Sequence, residues 1–182
     1  MSTTIAQFEI PTKESVSPAN AAIFDQLEKQ IGFVPNLYAF FAKSDTALAD
    51  YLALQHRKST LNTKEREVVN LVTSQINGCR YCQSAHTEIG KMNGFTIDQV
   101  LEIRSGSASF DSKLDALAKF TSSIVKNKGN ADAIVKDEFF NAGYSEANMV
   151  DLLIVVGDKI MSNYLHNLTG FEIDFPLAQE IA

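Results

Sequence analysis

The chain has 182 residues, of which 45% are hydrophobic and 21% are charged, a balance typical of a folded globular protein. Acidic residues outnumber basic ones by 22 to 16, which gives a formal net charge of -6. Because this charge repels nucleic acid and anionic lipid, the composition argues against partners of either kind. The length suits one domain with a sizeable core, and we expect residues 1–182 to form a single domain.

The N-terminal sequence MSTTIAQFEIPTKES lacks a basic start followed by an apolar run, so a signal peptide is not expected. The longest apolar run, residues 152–156, is far too short to cross a bilayer. We therefore expect a cytoplasmic protein with no membrane partner. Thiols stay reduced in that compartment, so the only two cysteines of the chain require a redox or a metal explanation.

Helical periods recur along the chain, and no stretch keeps the period-2 alternation of a half-buried strand. We expect an extended arm over residues 1–16 and a C-terminal tail over residues 171–182. In chain order, the predicted helices cover about residues 17–32, 37–43, 44–59, 62–77, 79–93, 96–105, 112–128, 132–141 and 146–167. These segments predict an all-α helical bundle of roughly eight helices, whose short connections favour antiparallel neighbours.

Three of the predicted helices begin with a capping signal. Ser17 precedes a proline at the first helical position, a residue pair that is common at helix starts. Asn62 and Glu65 have the spacing of a capping box, and Thr96 and Gln99 repeat that spacing. A fourth cap is expected at Ser44 or Asp45, at the start of the helix over residues 44–59.

The stretch NGCRYCQSAH, residues 77–86, places both cysteines next to a histidine. On a helix that begins at Cys79, the side chains of Cys79, Cys82 and His86 lie within an arc of roughly 60° at the edge of the buried face. The first helical turn favours a thiolate at Cys79, and His86 is spaced to accept a proton from Cys82 or to pair with its thiolate. The two thiols can close into a disulfide and reopen by exchange.

A carboxylate is expected to join this site. Glu67 lies at the margin of the apolar face of the preceding helix. If the two helices pack as an antiparallel hairpin, its carboxylate reaches the thiols. Partial burial would raise the pKa of this carboxylate and would allow it to shuttle protons.

The residues leave two alternatives to peroxide chemistry open. The dithiol is also suited to a general thiol-disulfide oxidoreductase or to a redox sensor with a protein partner. Alternatively, Cys79, Cys82, His86 and Glu67 supply the four ligands of a zinc site in a non-enzymatic helical oligomer. His166 either approaches the site or lies at a helix or subunit contact, and the apolar segment 151–160 is interpreted as core or oligomer interface.

The order Glu67, eleven residues, Cys79, two residues, Cys82, three residues, His86 resembles the Glu–Cys-x-x-Cys–His pattern of alkylhydroperoxidase D-like proteins. These proteins belong to the carboxymuconolactone decarboxylase superfamily, and the chain is most similar to its peroxidase-related branch. The segments GFVPN and NYLHNLTG resemble the same superfamily, and the likeness covers about residues 20–170.

The resemblance implies an all-helical homo-oligomer, a trimer or hexamer, that reduces a hydroperoxide substrate with electrons from a thiol or dithiol reductant. It implies that Cys82 attacks the peroxide, that Cys79 is the outer, resolving thiol, and that His86 and Glu67 form a proton relay. No metal, flavin or haem is expected. Tyr81 stands where the family pattern has a second histidine, and we interpret it as a wall of the site rather than a base.

Overall fold

The structure, a computed structural model, describes residues 8–181, and every α-helix or 3-10 helix in that range is joined to the next without an intervening strand. After a 3-10 turn, Lys13–Ser15, come α1 (Pro18–Ile31), α2 (Asn36–Phe41), α3 (Ala47–Gln55), α4 (Thr63–Ile76), α5 (Arg80–Met92), α6 (Ile97–Arg104), α7 (Ser112–Lys126), α8 (Ala133–Asn141) and α9 (Glu146–Thr169). The prediction of an all-α bundle is confirmed. Within the described range, no helix has both the length and the apolar character needed to cross a membrane.

The capping signals in the sequence are confirmed. The side chain of Ser17 accepts a hydrogen bond from a backbone N–H in the first turn of α1. Asn62 and Glu65 form both bonds of a capping box at the start of α4. Thr96 and Gln99 do the same at the start of α6. These local bonds satisfy backbone groups that have no partner within the helix, so they fix where each helix begins.

Two other local predictions differ from the structure. The extended arm predicted over residues 1–16 contains the 3-10 turn Lys13–Ser15, and its first seven residues lie outside the described range. The start predicted for α3 at Ser44 or Asp45 is wrong, because the helix begins after Thr46, whose side chain makes no capping bond.

Helix α4 lies at the centre of the bundle and packs against α5, α6, α7 and α9. Its apolar residues Val68, Val69, Leu71 and Val72 are all fully buried. Because neighbouring helices cover α4 on several sides, its polar side chains Glu67, Asn70, Thr73 and Ser74 are buried inside the protein as well. Gly78, with a φ of 65°, forms the tight turn that folds α5 back against α4.

The C-terminal tail packs across the outer side of α5. The backbone N–H of Ala178 donates to the Ser84 hydroxyl over 3.0 Å, and Arg104 donates to the carbonyl oxygen of Gln179 over 2.7 Å. Residues 171–181 contain no helix, as predicted. The tail therefore holds its place through bonds to the helices rather than through secondary structure of its own.

Asp151 of α9 connects that helix to the loop between α3 and α4. Its carboxylate accepts hydrogen bonds from Arg57 at 2.7 Å, from the Thr60 hydroxyl at 2.7 Å and from the Ser59 hydroxyl at 3.3 Å. Burial alone would raise the pKa of Asp151, but the bonds from Thr60 and Arg57 lower it to about 2. This carboxylate therefore stabilises the folded state in its charged form.

We expect Asp151→Asn to lower the free energy of unfolding by about 2 kcal/mol at pH 7, because bonds to a charged acceptor are lost. A lowered carboxyl pKa stabilises the fold above its ordinary value of 3.8, and this contribution is lost as the pH falls towards 2. The free energies of unfolding of the variant and the wild type should therefore become more similar below about pH 4. Urea denaturation followed by circular dichroism measures both effects, with the exposed Asp137→Asn as control. Equal losses in the two variants would contradict the prediction.

Candidate active site

The two cysteines lie at the N-terminus of α5, and both are free thiols. Cys79 is the N-cap residue, and its sulfur accepts a hydrogen bond from the backbone N–H of Cys82 over 3.3 Å. The Cys79 thiol also hydrogen-bonds to the sulfur of Cys82. Both side chains are inside the protein, with 0% of Cys79 and 2% of Cys82 exposed. The two sulfurs are thus neighbours that water scarcely reaches.

The environment stabilises the thiolate of Cys82. The hydrogen bond from Cys79 lowers the pKa of Cys82, burial opposes this, and the nearby Lys159, His86 and Asn163 lower it further, to about 6. The same hydrogen bond and burial raise the pKa of Cys79. The expectation of a thiolate at Cys79 is therefore wrong, because the sulfur of Cys79 is the donor in this pair.

A chain of polar contacts crosses the bundle behind the thiols. The Nδ1 atom of His86 lies 2.8 Å from a carboxylate oxygen of Glu67, as the antiparallel hairpin of α4 and α5 brings them together. Asn70 donates to the other oxygen of Glu67 over 2.8 Å. Burial favours a high pKa for Glu67, but His86, Asn70 and Lys159 lower it below its ordinary value. The expectation of a raised pKa is therefore wrong.

Lys159 of α9 is the last member of this row of polar contacts, and its Nζ atom lies 3.1 Å from Nε2 of His86. Only 2% of Lys159 is exposed. Burial alone would lower its pKa, but Tyr51, Asp158 and Cys82 raise it above the ordinary value. The side chain is therefore a charged ammonium group, which can only donate hydrogen bonds.

This donor fixes the proton on His86. Since Lys159 donates to Nε2, the imidazole carries its proton on Nδ1 and donates it to Glu67. Both ring nitrogens are thus engaged, and neither bonds to a cysteine sulfur. The direct pairing of Cys82 with His86 expected from their spacing is not made. The buried ammonium group of Lys159 also lowers the pKa of Cys82.

Lys159 is not among the site residues predicted from the sequence, because the apolar segment 151–160 indicates only core or interface. A signal was present, since Lys159 follows Leu152 and Val155 and precedes Asn163 at the spacing of one helix face. Leu152, Val155 and Asn163 are all buried. Lysine is almost never fully buried unless it is paired, so a lysine at a core position indicates a buried polar site.

A cavity of about 620 Å³ opens onto this site. Its walls are largely apolar, formed by Ile31, Phe33, Pro35, Leu37, Tyr38, Leu54, Tyr81, Ala85, Ile89, Met92, Ile154, Val155 and Phe175. Glu67, Cys82, His86 and Lys159 form a polar part of the same lining, whereas Cys79 does not line the cavity. Cys79 is therefore not the outer thiol that was expected.

Tyr81 belongs to the cavity wall, and its hydroxyl accepts a hydrogen bond from the backbone N–H of Leu37 over 3.2 Å. His166 packs against the Tyr81 ring, and its Nε2 atom lies 3.1 Å from the carbonyl oxygen of Phe171. His166 does not line the cavity. It contacts the C-terminal tail, which agrees with a helix contact rather than with a place in the site.

The zinc alternative does not fit this arrangement. Within residues 8–181, no group of three or more His, Cys, Asp or Glu side chains is placed to hold a metal ion. A zinc ligand needs a free lone pair, but Lys159 bonds to Nε2 of His86 and Nδ1 carries the proton given to Glu67. Cys79, Cys82, His86 and Glu67 are therefore not a zinc-binding set.

Comparison with known proteins agrees with the all-α fold. The family model "Carboxymuconolactone decarboxylase family" matches residues 41–122. None of the curated proteins matches the sequence. Several solved structures match over most of the chain, and three of them are described in the next paragraph.

The AhpD core structure of an uncharacterized peroxidase-related protein from Ralstonia eutropha JMP134 has a TM-score of 0.83 and 18% identity, and covers 95% of this chain and 94% of its own. An uncharacterized peroxidase-related protein from Silicibacter sp. TM1040 has a TM-score of 0.78 and 20% identity, with 91% and 90% covered. The debrominase Bmp8 has a TM-score of 0.71 and 18% identity, with 86% and 87% covered. At such identities the likeness establishes the fold. The chain therefore has the fold of AhpD-like, peroxidase-related proteins, and its residues 41–122 are similar to the carboxymuconolactone decarboxylase family.

Proposed function

We propose that the protein is a thiol-dependent peroxide reductase in which Cys82 attacks a hydroperoxide and Cys79 resolves the product. One observation carries the proposal: Cys82, with a pKa of about 6, is the thiol that lines an apolar cavity, beside a buried ammonium group. The distant similarity to AhpD-like proteins suggests a peroxidase-related function and supports this assignment.

In the first step, the Cys82 thiolate attacks the terminal oxygen of the hydroperoxide and the O–O bond breaks. Cys82 becomes a sulfenic acid, and the leaving alkoxide takes a proton to become an alcohol. Lys159 is the cation proposed to donate this proton, because it lines the same cavity and lowers the pKa of Cys82. His86 and Glu67 orient Lys159, since the Nδ1–H bond to Glu67 keeps the Nε2 lone pair directed at Nζ.

In the second step, the Cys79 thiol attacks the Cys82 sulfenic acid. A disulfide forms between the two sulfurs, and the thiol proton leaves with the hydroxyl group as water. The raised pKa of Cys79 keeps this thiol protonated until then. An external thiol or dithiol then supplies two electrons and two protons and restores both cysteines.

The cavity indicates an organic substrate. Its volume of about 620 Å³ is far larger than hydrogen peroxide requires, and its walls are mainly apolar. Apolar walls gain free energy by covering a hydrocarbon and gain nothing from a small polar solute. We therefore propose that the substrate is an organic hydroperoxide with an apolar body.

One equivalent of an organic hydroperoxide such as cumene hydroperoxide should remove two hydrogens from the intact chain. Mass spectrometry under denaturing conditions measures this loss, and a peptide map should place the bridge between Cys79 and Cys82. The variant Cys79→Ser is the control, because it should instead gain one oxygen atom on Cys82. An unchanged mass in the wild type, with both thiols still free, would refute the peroxide reductase.

Reductive debromination is a second candidate, favoured by the size of the cavity and by the fold shared with Bmp8. A cysteine-to-alanine variant of Bmp8 has been solved in complex with 2,3,4-tribromopyrrole, with a TM-score of 0.73 to this chain. Here the Cys82 thiolate would take bromine from the ring, a proton would replace it, and Cys79 would then displace bromide to form the same disulfide. Release of bromide from tribromopyrrole, without consumption of hydroperoxide, would favour this candidate.

General thiol-disulfide exchange with a protein partner fits the structure less well. A partner protein must bring its own sulfur to one of the two cysteines. Cys79 is fully buried, and Cys82, which is 2% exposed, lines the cavity. Rapid reduction of the disulfide by a folded protein dithiol, with no hydroperoxide turnover, would support the exchanger instead.

A further inference from the structure

Asp158 of α9 is a buried carboxylate whose two oxygens are poorly hydrogen-bonded. Only 8% of the residue is exposed, and within residues 8–181 its Oδ1 atom has no hydrogen-bond partner. Its Oδ2 atom lies 3.5 Å from Nε2 of Gln55 and 3.6 Å from Nζ of Lys159, which are long contacts for a carboxylate. A buried acceptor without a donor costs free energy, so this side chain requires an explanation.

The fold does not explain this carboxylate. Asp151, seven residues earlier on the same helix, accepts hydrogen bonds from three residues and so holds α9 to the loop before α4. Asp158 makes no comparable set of bonds within the described residues. Nor does Asp158 promote the thiolate of Cys82, because its negative charge offsets the nearby charge of Lys159, which lowers the pKa of Cys82. The remaining role for a carboxylate at this place is contact with a ligand.

The position of Asp158 in the cavity wall suits such a contact. Among the buried side-chain atoms that lack a partner in the described part of the chain, those on cavity-lining residues are the Oδ1 atoms of Asn70 and Asp158. Asn70 bonds to Glu67, which lies on the Nδ1 side of His86. Asp158 lies instead beside Lys159, on the Nε2 side of the same ring. The cavity therefore has an unsatisfied acceptor next to the ammonium group, and a ligand that donates a hydrogen bond would satisfy it.

We propose that Asp158 positions the substrate by accepting a hydrogen bond from the terminal O–H group of the hydroperoxide. This inference rests on the proposed peroxide reductase. A hydroperoxide donates through one oxygen and accepts at the adjacent oxygen, so it matches a neighbouring acceptor and donor such as Asp158 and Lys159. The last side-chain torsion of an aspartate is soft, so the unpartnered oxygen can turn towards a ligand at little cost.

The proton on the terminal oxygen stays in place throughout this step. Cys82 attacks that oxygen, the S–O bond forms, the O–O bond breaks, and the O–H group becomes part of the sulfenic acid. Lys159 gives a proton to the leaving alkoxide, whereas Asp158 neither gains nor loses one. The hydrogen bond to Asp158 thus fixes the orientation of the attacked oxygen. Dialkyl peroxides lack the O–H group, so this contact should disfavour them although the apolar walls would accept them.

Equilibrium binding to a chain that cannot react tests this contact. In a chain with Cys79→Ser and Cys82→Ser, isothermal titration calorimetry compares cumene hydroperoxide with cumyl methyl peroxide, in which a methyl group replaces the O–H hydrogen. We expect the hydroperoxide to bind about ten-fold more tightly, as for a hydrogen bond to a charged group. Asp158→Leu in the same chain should remove this preference. Asp158→Asn loses the same charge but keeps an acceptor oxygen, so it should retain part of the preference.

The matched control for the binding experiment is Glu88→Leu. Glu88 also lines the cavity, but its carboxylate is bonded to Lys91 over 2.9 Å, so its loss should leave the preference for the hydroperoxide unchanged. Equal binding of the two peroxides by the chain that keeps Asp158 would overturn the inference. An equal preference in that chain and in a folded Asp158→Leu variant would overturn it as well.

Turnover separates this inference from the proposed function. With both cysteines in place, Asp158→Leu should lower kcat/KM for cumene hydroperoxide by about ten-fold, and Asp158→Asn should lower it less. Both variants lose the same charge, so the difference between them reports the acceptor oxygen. Hydroperoxide turnover by the wild type, with equal kcat/KM in Asp158→Leu, would refute the role of Asp158 alone. A wild type that consumes no hydroperoxide would refute the proposed function, and this inference with it.

Discussion

Replacing Cys82 by serine should lower the turnover of an organic hydroperoxide by about 1,000-fold or more, the scale seen when a nucleophile is removed. Cys82 is the thiolate of the pair, and a serine hydroxyl in its place stays protonated at neutral pH. Steady-state consumption of cumene hydroperoxide, with excess dithiothreitol as reductant, measures the loss. The substitution is nearly isosteric, so circular dichroism should show an unchanged helical fold.

The matched control for this prediction is Cys79→Ser. Cys79 does not line the cavity, so this variant should still consume one equivalent of hydroperoxide in a first reaction. It should then stop as a sulfenic acid that dimedone labels, because no resolving thiol remains. Equal turnover by Cys82→Ser and the wild type, or a first reaction that depends on Cys79 instead, would show that the roles are assigned wrongly.

Replacing Lys159 by methionine should slow the reaction with hydroperoxide by roughly ten-fold or more at pH 7. The part of this loss that comes from the smaller thiolate fraction should disappear at pH 9, whereas the part that comes from the lost proton donor should remain. The hydrogen bond from Cys79 remains, but the charge that further lowers the pKa of Cys82 is gone. Loss of a close opposite charge changes a pKa by about one to three units, so the thiolate fraction at pH 7 falls. The thiolate is the reactive form of Cys82, so the rate rises with pH as the thiol ionises. A higher pKa in the variant therefore moves this rise in rate to a higher pH.

Thiolate absorbance at 240 nm, followed against pH, measures the pKa of Cys82 directly. In the wild type the absorbance should rise near pH 6, where the pKa of Cys82 lies, and in Lys159→Met it should rise at a higher pH. Lys119→Met removes an exposed cation on α7 that pairs with Asp115, and it should leave the titration unchanged. A folded Lys159→Met variant with the wild-type titration would show that the ammonium group does not act on Cys82.

Local signals in the sequence predicted the bundle well. Asn62 with Glu65 and Thr96 with Gln99 mark helix starts through bonds between residues that are close in the chain, and these bonds form in the structure. The approach of Glu67 to the site followed from a hairpin of two adjacent helices with a tight turn, although its carboxylate bonds to His86 rather than to a thiol. Predictions that depend on a few neighbouring residues can be made from a sequence, because propensity and spacing decide them.

The charges and pKa values of the site could not be predicted from local spacing in the sequence. Lys159 lies 73 residues after His86, and nothing in the local spacing states that α9 packs against α5. Its charge reverses two expectations, because it occupies the ring nitrogen expected to serve Cys82 and helps to lower the pKa of Glu67. A pKa depends on every charge within reach in space, so it follows from the packing of distant helices rather than from a motif.

In the proposed peroxide-reductase cycle, the position of the C-terminal tail gives the oxidant and the reductant different routes to the two sulfurs. A thiol that reopens the disulfide prefers to expel the sulfur of lower pKa, which is Cys82, and must then attack the sulfur of Cys79. That sulfur is sealed inside a cluster that includes Phe171 at the start of the tail, whereas an oxidant meets Cys82 through the cavity. Oxidation can thus proceed in the closed molecule, while return to the dithiol by the faster route waits until Cys79 is uncovered.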